Sequence, residues 1–154
     1  MSNIEIWTDG GCHGNPGPGG WAFIICKREQ SAAEQILIEK NGSENYTTNN
    51  RMELIAVIKA LTALGTINEA EPAMLSVYTD SQYVKKGITE WISGWKIKNW
   101  RTSSNKPVKN DDLWRTLDVL ASAFKINWQW VKGHSGNFLN ERCDELTQKA
   151  IESL

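Results

Sequence analysis

The chain has 154 residues, a formal net charge of −1 at pH 7, 40% hydrophobic and 23% charged residues, values that suit one soluble globular domain spanning residues 1–154. It has no apolar run near the roughly 20 residues that span a bilayer and no secretory-signal layout at its N-terminus, so we expect no membrane partner. Three widely spaced cysteines exclude a disulfide framework or a zinc pattern, which favours a reducing cytoplasm, and we expect a monomer.

In the first part of the chain, the alternation of apolar and polar residues predicts strands, and clustered glycine and proline predict a loop. Alternating apolar residues predict a strand at 4–9. Six glycines and two prolines predict a flexible loop at 10–20. Two further strands are predicted at 21–27 and 35–40, which together with the first would form an antiparallel meander.

Helical and strand patterns then alternate. A helix is predicted from Asn49 and Asn50 to about Leu64, with Gly65 as its stop, and a strand follows at 73–78. A second helix is predicted from Asp80 and Ser81 to its end at Gly87, followed by a short Trp-rich basic helix and a loop at 101–110. The remaining predicted elements are a helix at 111–124, a strand at 126–131 and a helix at 140–154. Crossovers through helices make the last two strands parallel neighbours. We therefore predict an α/β fold with a five-stranded mixed sheet, three meander strands and two parallel ones, covered by helices on both faces. In such sheets functional residues gather at the carboxyl ends of strands.

One segment, residues 85–109, is strongly basic. It carries a charge of +6 while the rest of the chain carries −7. Its charged residues are Lys85, Lys86, Lys96, Lys98, Arg101, Lys106 and Lys109, against Glu90. This charge indicates either a face that meets a polyanion or an ordinary solvated surface, and charge alone does not decide between them.

Two aspartates are predicted at strand ends. Asp9 lies near the end of the first strand and before Gly10, where an Asp-Gly turn would also explain it. Asp80 lies just past the fourth strand, where a helix N-cap would also explain it.

Two more acidic residues are predicted in the first turns of helices. Glu53 stands in an otherwise apolar stretch and has capping-box spacing from Asn50. Asp144 lies in the first turn of the last helix, where a negative charge suits the helix dipole.

Taken together, these four carboxylates are predicted to meet at one edge of the sheet. Such a group repels itself unless divalent cations neutralise it. Ligands that are all oxygen suit Mg²⁺ or Mn²⁺ rather than Zn²⁺. Two such ions about 3.5–4 Å apart promote in-line displacement at phosphorus, so the predicted chemistry is phosphodiester hydrolysis. His134, in a glycine-flanked loop after the fifth strand, is a candidate for proton transfer or an ordinary surface histidine.

Five segments in order along nearly the whole chain carry a more specific signal. They are TDGG at 8–11, TTNNRMEL at 47–54, YTDSQYV at 78–84, VKGH at 131–134 and NERCDEL at 140–146. These segments resemble the signature of type 1 ribonuclease H, which implies the ribonuclease H-like fold. The resemblance also implies an endonuclease that cuts the RNA strand of an RNA–DNA hybrid with two Mg²⁺ ions, or Mn²⁺ in their place, leaving 5′-phosphate and 3′-hydroxyl ends.

The resemblance assigns roles to individual residues. It implies that Asp9, Glu53, Asp80 and Asp144 hold the metal ions and that His134 assists proton transfer or product release. It implies that Asn15, Asn49 and Gln82 contact the RNA strand and that Thr48 fixes a phosphate of the DNA strand.

Residues 91–101 resemble the family's basic handle. Lys96, Lys98 and Arg101 would neutralise phosphates there. We expect the handle tryptophans, Trp91, Trp95 and Trp100, to pack the handle against the domain rather than to stack on bases.

The chain departs from the family in the segment 137–139, which lacks the usual polar filling, and Lys86 has no assigned role. Two alternatives remain open, a non-catalytic hybrid-binding module and a related two-metal DNA enzyme. Recruitment by a single-strand-binding protein does not follow from the sequence.

Overall fold

The sheet of the computed structural model, which describes residues 2–29, 33–67, 72 and 74–154, has five strands. They are β1 (Ser2–Cys12), β2 (Gly17–Glu29), β3 (Gln35–Thr47), β4 (Met74–Thr79) and β5 (Asn127–Trp130). Their order is β3-β2-β1-β4-β5. The first three strands pair antiparallel, β4 runs parallel to β1, and β5 runs parallel to β4. The predicted mixed sheet is confirmed, while Ala73, the predicted start of β4, lies outside the described residues.

Helices cover both faces of this sheet. They are α1 (Asn49–Leu64), α2 (Gln82–Lys86), α3 (Ile92–Ile97), α4 (Asp111–Ser122) and α5 (Phe138–Glu152), with a π-helical turn (Gly87–Trp91) between α2 and α3. On one face Leu54 of α1 and Trp114 of α4 belong to the main core. On the other, Leu139 and Cys143 of α5 pack with Trp7 of β1. Among the described residues, no helix has the length and apolarity needed to cross a membrane.

The predicted flexible loop at 10–20 is wrong, because β1 continues to Cys12 and β2 already begins at Gly17. Gly10, Gly19 and Gly20 serve close packing, whereas Gly14, with a φ of 72°, takes the left-handed conformation of the turn between the strands. A Cβ placed on Gly10 would lie 2.5 Å from the backbone nitrogen of Glu53, so only glycine lets α1 lie directly on the strand.

The predicted helix stop at Gly87 is also wrong. The backbone continues from α2 through the π-helical turn into α3 without leaving helical geometry. A Cβ at Gly87 would run into the ring of Trp114, which is fully buried on α4. Glycine is therefore required here because an aromatic ring packs against the helix backbone.

Candidate metal and nucleic-acid site

Three carboxylates meet at the carboxyl edge of the parallel strands. Asp9 lies on β1 and Asp80 directly follows β4, and these neighbouring strands pair in register at Trp7 and Tyr78. The close approach of α1 to Gly10 brings Glu53 to the same edge. Carboxylate oxygens of Asp9, Glu53 and Asp80 all lie within 4.8 Å of one another. The predicted convergence is thus observed for these three residues.

The fourth carboxylate, Asp144, stands beside this trio rather than within it. It lies on α5, and its charge contributes to raising the pKa of both Asp9 and Asp80. It is absent from the group of ligand atoms that meet within 4.8 Å in the described part of the chain. Asp144 is therefore placed to complete the site from its α5 side.

None of the local alternatives accounts for the two aspartates at the strand ends. No turn follows Asp9, because β1 runs on to Cys12. The N-cap of α2 is Ser81, whose side chain accepts a hydrogen bond from the backbone of Val84, so Asp80 is not the cap.

The local alternatives for the two helical residues are also wrong. The cap of α1 is Thr48, whose Oγ1 accepts from the backbone N–H of Arg51 at 3.2 Å, so Glu53 has no capping-box role. Helix α5 begins earlier than predicted, at Phe138, which puts Asp144 in its second turn, away from the helix N-terminus.

Burial and mutual repulsion make these carboxyl groups hard to ionise together. Burial, together with the charges of Asp80 and Asp144, raises the pKa of Asp9 from 3.8 to about 8. Burial, followed by the charges of Asp9 and Asp80, raises the pKa of Glu53 well above its ordinary value. Oε2 of Glu53 is buried without a hydrogen-bond partner. An all-oxygen set with an orphaned buried oxygen fits a hard divalent cation, which would supply the missing charge and contact.

Residues that sequence reasoning missed hold Asp80 in place. Asn140 is 3% exposed and donates from Nδ2 to Oδ2 of Asp80 at 3.3 Å, which opposes the rise in the pKa of that carboxyl caused by burial. The indole N–H of Trp130 donates to the backbone oxygen of Asp80 at 3.0 Å. A signal for Asn140 existed in its spacing, since it precedes Asp144 by one helical turn and so shares its face.

His134 lies in the loop between β5 and α5. It is exposed and has a φ of 57°, in the left-handed region that non-glycine residues seldom adopt. Its charge lowers the pKa of Asp80, and a Cβ on the adjacent Gly133 would lie 3.0 Å from Oδ2 of that residue. The loop therefore presents His134 to solvent beside the carboxylates.

The residues expected to contact substrate flank this edge. The backbone N–H of Asn49 donates to Oδ1 of Asn15 at 3.2 Å, which joins the β1–β2 turn to the start of α1. Thr48 is the cap between them, and Gln82, the first residue of α2, is exposed on the other side. The structure thus brings Asn15, Thr48 and Asn49 together and leaves Gln82 on a separate element.

The handle packs through its aromatic residues, as expected. Trp95 lies 5.2 Å from Trp114, 5.9 Å from Trp91 and 6.3 Å from Trp100, measured between ring centroids. Tyr83 of α2 joins the same group and accepts from the indole N–H of Trp114 at 2.9 Å. These rings are engaged with one another, which leaves the polar side chains of the handle for a ligand.

Among the handle cations, Lys96, Lys98 and Arg101 are all exposed. Lys96 pairs with Asp118 at 3.2 Å, and Arg101 donates to the backbone oxygen of Asn105 at 3.2 Å. The exposed Lys96–Asp118 ion pair is worth little, and the Arg101 contact is an exposed hydrogen bond, so these cations remain accessible to phosphates.

Comparison with known proteins gives matches along the whole chain. The family model described as RNase H matches residues 1–152. A ribonuclease H of Treponema denticola is 49% identical and covers 99% of both chains, and one of Aromatoleum aromaticum is 52% identical over 98% of this chain and 92% of that protein. The crystal structure of LC9-RNase H1, a type 1 RNase H with the type 2 active-site motif, superposes with a TM-score of 0.85 at 30% identity, over 99% of this chain and 74% of that one. LC11-RNase H1, solved in complex with RNA/DNA hybrid, gives a TM-score of 0.72 at 23% identity over 97% of each chain, a likeness of fold.

Proposed function

Since the chain belongs to the RNase H family, we propose that it is an endonuclease that hydrolyses the RNA strand of RNA–DNA hybrids. The observation that carries this function is the meeting of Asp9, Glu53 and Asp80 within 4.8 Å at one sheet edge. Clustered carboxylates with raised pKa values are costly in a purely structural role, because burial disfavours their charged forms. Their retention here indicates a cation-dependent reaction.

The cofactor we propose is a pair of Mg²⁺ ions, for which Mn²⁺ can substitute. The trio and Asp144 would hold them, since hard cations prefer carboxylate oxygens. Such ions would supply positive charge at the scissile phosphate and at an attacking water, the chemistry of a hydrolysis that leaves 5′-phosphate and 3′-hydroxyl ends.

The chain's own residues would orient the Asp80 carboxylate and assist proton transfer. Asn140 and Trp130 hold Asp80 from two sides, which limits the movement of its carboxylate. His134, exposed in its loop beside the carboxylates, is placed to assist proton transfer or product release.

We propose that two surfaces bind the two strands of the hybrid. Asn15, Asn49 and Gln82 offer uncharged amides to the RNA strand, where contacts to 2′-hydroxyls distinguish RNA from DNA. Thr48 contacts a phosphate of the DNA strand, and the exposed Lys96, Lys98 and Arg101 add phosphate contacts from the handle. One domain, residues 1–154 with its basic segment at 85–109, would then bind the hybrid unaided as a cytoplasmic monomer.

The decisive experiment compares cleavage of a labelled RNA–DNA hybrid, duplex DNA and duplex RNA, with Mg²⁺, with Mn²⁺ and with a chelator. We expect cleavage only of the RNA strand of the hybrid, only with cation, and its loss in Asp9→Asn. Asp111→Asn is the matched control, because Asp111 makes only a 3.5 Å surface pair with Arg115. Hybrid binding without cleavage in either metal would support the non-catalytic binding module, and cleavage of duplex DNA would support the related two-metal DNA enzyme.

A further inference from the structure

The turn between β1 and β2, residues 13–16, is held at both sides by side-chain hydrogen bonds. On the α1 side Oδ1 of Asn15 accepts from the backbone of Asn49 at 3.2 Å. On the α5 side Nε2 of His13 lies 2.8 Å from Oε1 of Gln148. Because the amide oxygen of Gln148 only accepts, the His13 Nε2 atom carries the proton and donates. The turn thus bridges two helices that deliver different parts of the site.

Gln148 belongs to the site-facing flank of α5. It lies four residues after Asp144, one helical turn along the same face. Its neighbour Thr147 is fully buried, and its hydroxyl, which donates to the backbone oxygen of Cys143 at 2.9 Å, opposes the rise in the pKa of Asp9. The contact from His13 to Gln148 therefore ties the turn to the stretch of α5 that borders the carboxylates.

Packing does little to fix this turn. His13, Gly14, Asn15 and Pro16 are all exposed. Exposed turns depend on their hydrogen bonds for a defined position, since little apolar area is buried there. The internal bond from the His13 N–H to the Pro18 oxygen, at 2.8 Å, shapes the turn but attaches it to neither helix.

We infer that His13 is a positioning residue, whose hydrogen bond to Gln148 holds the 13–16 turn so that Asn15 meets the RNA strand beside the carboxylates. The inference rests on the proposed function, because it concerns how the hybrid is held. Neither His13 nor Gln148 belongs to the five signature segments. Gln148 lies on α5, just after the last of these segments ends.

The test is steady-state cleavage of a short RNA–DNA hybrid by His13→Ala and Gln148→Ala. Losing one hydrogen bond to an exposed loop predicts a KM about three- to tenfold higher, with kcat within about twofold and an unchanged Tm. The double variant is expected to be no worse than either single one, because both remove the same contact. His13→Gln, whose amide can still donate to Gln148, is expected to restore KM.

Each other result overturns the inference. An unchanged KM in both alanine variants means that the turn holds its own position. A fall in kcat alone means that the contact acts on the carboxylates, and a smaller salt dependence of KM in His13→Ala means that the imidazole contacts phosphate itself. A wild-type protein that fails to cleave the hybrid contradicts the proposed function instead, so the two failures are distinguishable.

Discussion

The carboxylate trio predicts that the metal-free protein becomes more stable when Asp9 is replaced by Asn. Asp9 is 6% exposed, and burial with the charges of Asp80 and Asp144 raises its pKa from 3.8 to about 8. A carboxyl whose folded pKa is raised binds protons more tightly in the folded state. Its ionisation therefore destabilises the fold progressively as pH rises from 3.8 towards the folded pKa.

The size of the effect follows from the same pKa. At pH 7 the group has passed about three pH units above 3.8, and each unit corresponds to about 1.4 kcal/mol, so the upper bound is about 4 kcal/mol. Asparagine has nearly the same shape as aspartate and removes the charge. Its gain in stability is smaller than this upper bound, because its buried amide is also desolvated and must find hydrogen bonds. We therefore expect a gain of about 1–3 kcal/mol in the free energy of unfolding, or a Tm higher by roughly 3–9 °C for a domain of this size.

Thermal unfolding followed by circular dichroism with a chelator present, from pH 4 to pH 8, measures this gain. The difference between Asp9→Asn and wild type is expected to be small at pH 4 and to grow as pH rises. Asp112→Asn is the matched control of opposite sign, because the side-chain hydrogen bond from Arg51 lowers the pKa of Asp112. That exposed pair contributes about 0.2–1 kcal/mol, which is fully present above the ordinary aspartate pKa of 3.8 and is lost only as pH falls through the lowered folded pKa. Asp112→Asn is therefore expected to be slightly less stable than wild type across the range from pH 4 to pH 8. A Tm of Asp9→Asn at or below wild type at pH 7, or a gain that does not change with pH, would refute the electrostatic reasoning.

Three further predictions concern the packing, the support and the charge of the site. Gly87→Ala is expected to lower Tm by roughly 3–9 °C in thermal unfolding, because its methyl group would overlap the buried ring of Trp114; an unchanged Tm would contradict the close contact. Asn140→Ala is expected to lower kcat/KM about 10- to 100-fold at limiting Mg²⁺ with less effect at saturating Mg²⁺, because it removes the support of an Asp carboxylate; equal loss at every Mg²⁺ concentration would contradict this. Lys98→Gln is expected to reduce by about 1 the slope of log Kd for hybrid against log salt, whereas Lys125→Gln, an exposed lysine outside the basic segment, leaves it unchanged.

The elements of the fold could be predicted where local sequence patterns determine them. They could not be predicted as well where contacts with residues distant in the sequence determine them. Strand alternation and helix periodicity placed Asp9 on one strand and Asp80 directly after its parallel neighbour, although β1 runs beyond Asp9 to Cys12. The glycines at 10–20 predicted a loop because local rules treat glycine as flexible, whereas Gly10 and Gly19 instead let α1 and the neighbouring strands approach closely. Gly87 was predicted to end a helix for the same reason, because the Trp114 ring that requires a glycine there lies 27 residues away on α4.

The structure explains why the segment 137–139 departs from the family pattern. Asn137 caps α5 by accepting from the backbone N–H groups of Leu139 and Asn140, and Leu139 is 4% exposed within the α5-face core. The segment therefore anchors the start of the helix instead of filling a mobile loop, and only Phe138 remains exposed. The structure assigns no contact role to Lys86, which is exposed on α2.

The site and the fold make opposite demands on the same residues. Asp9 and Glu53 would stabilise the metal-free fold more as neutral groups, yet neutral groups would not neutralise a divalent cation. The apolar residues that α1 contributes to the main core and the contact from Asn140 to Asp80 offset part of this cost. Binding of the cation would then restore stability by an amount that grows with the logarithm of its concentration over its Kd, which couples the most stable form of the protein to the form that we propose is active.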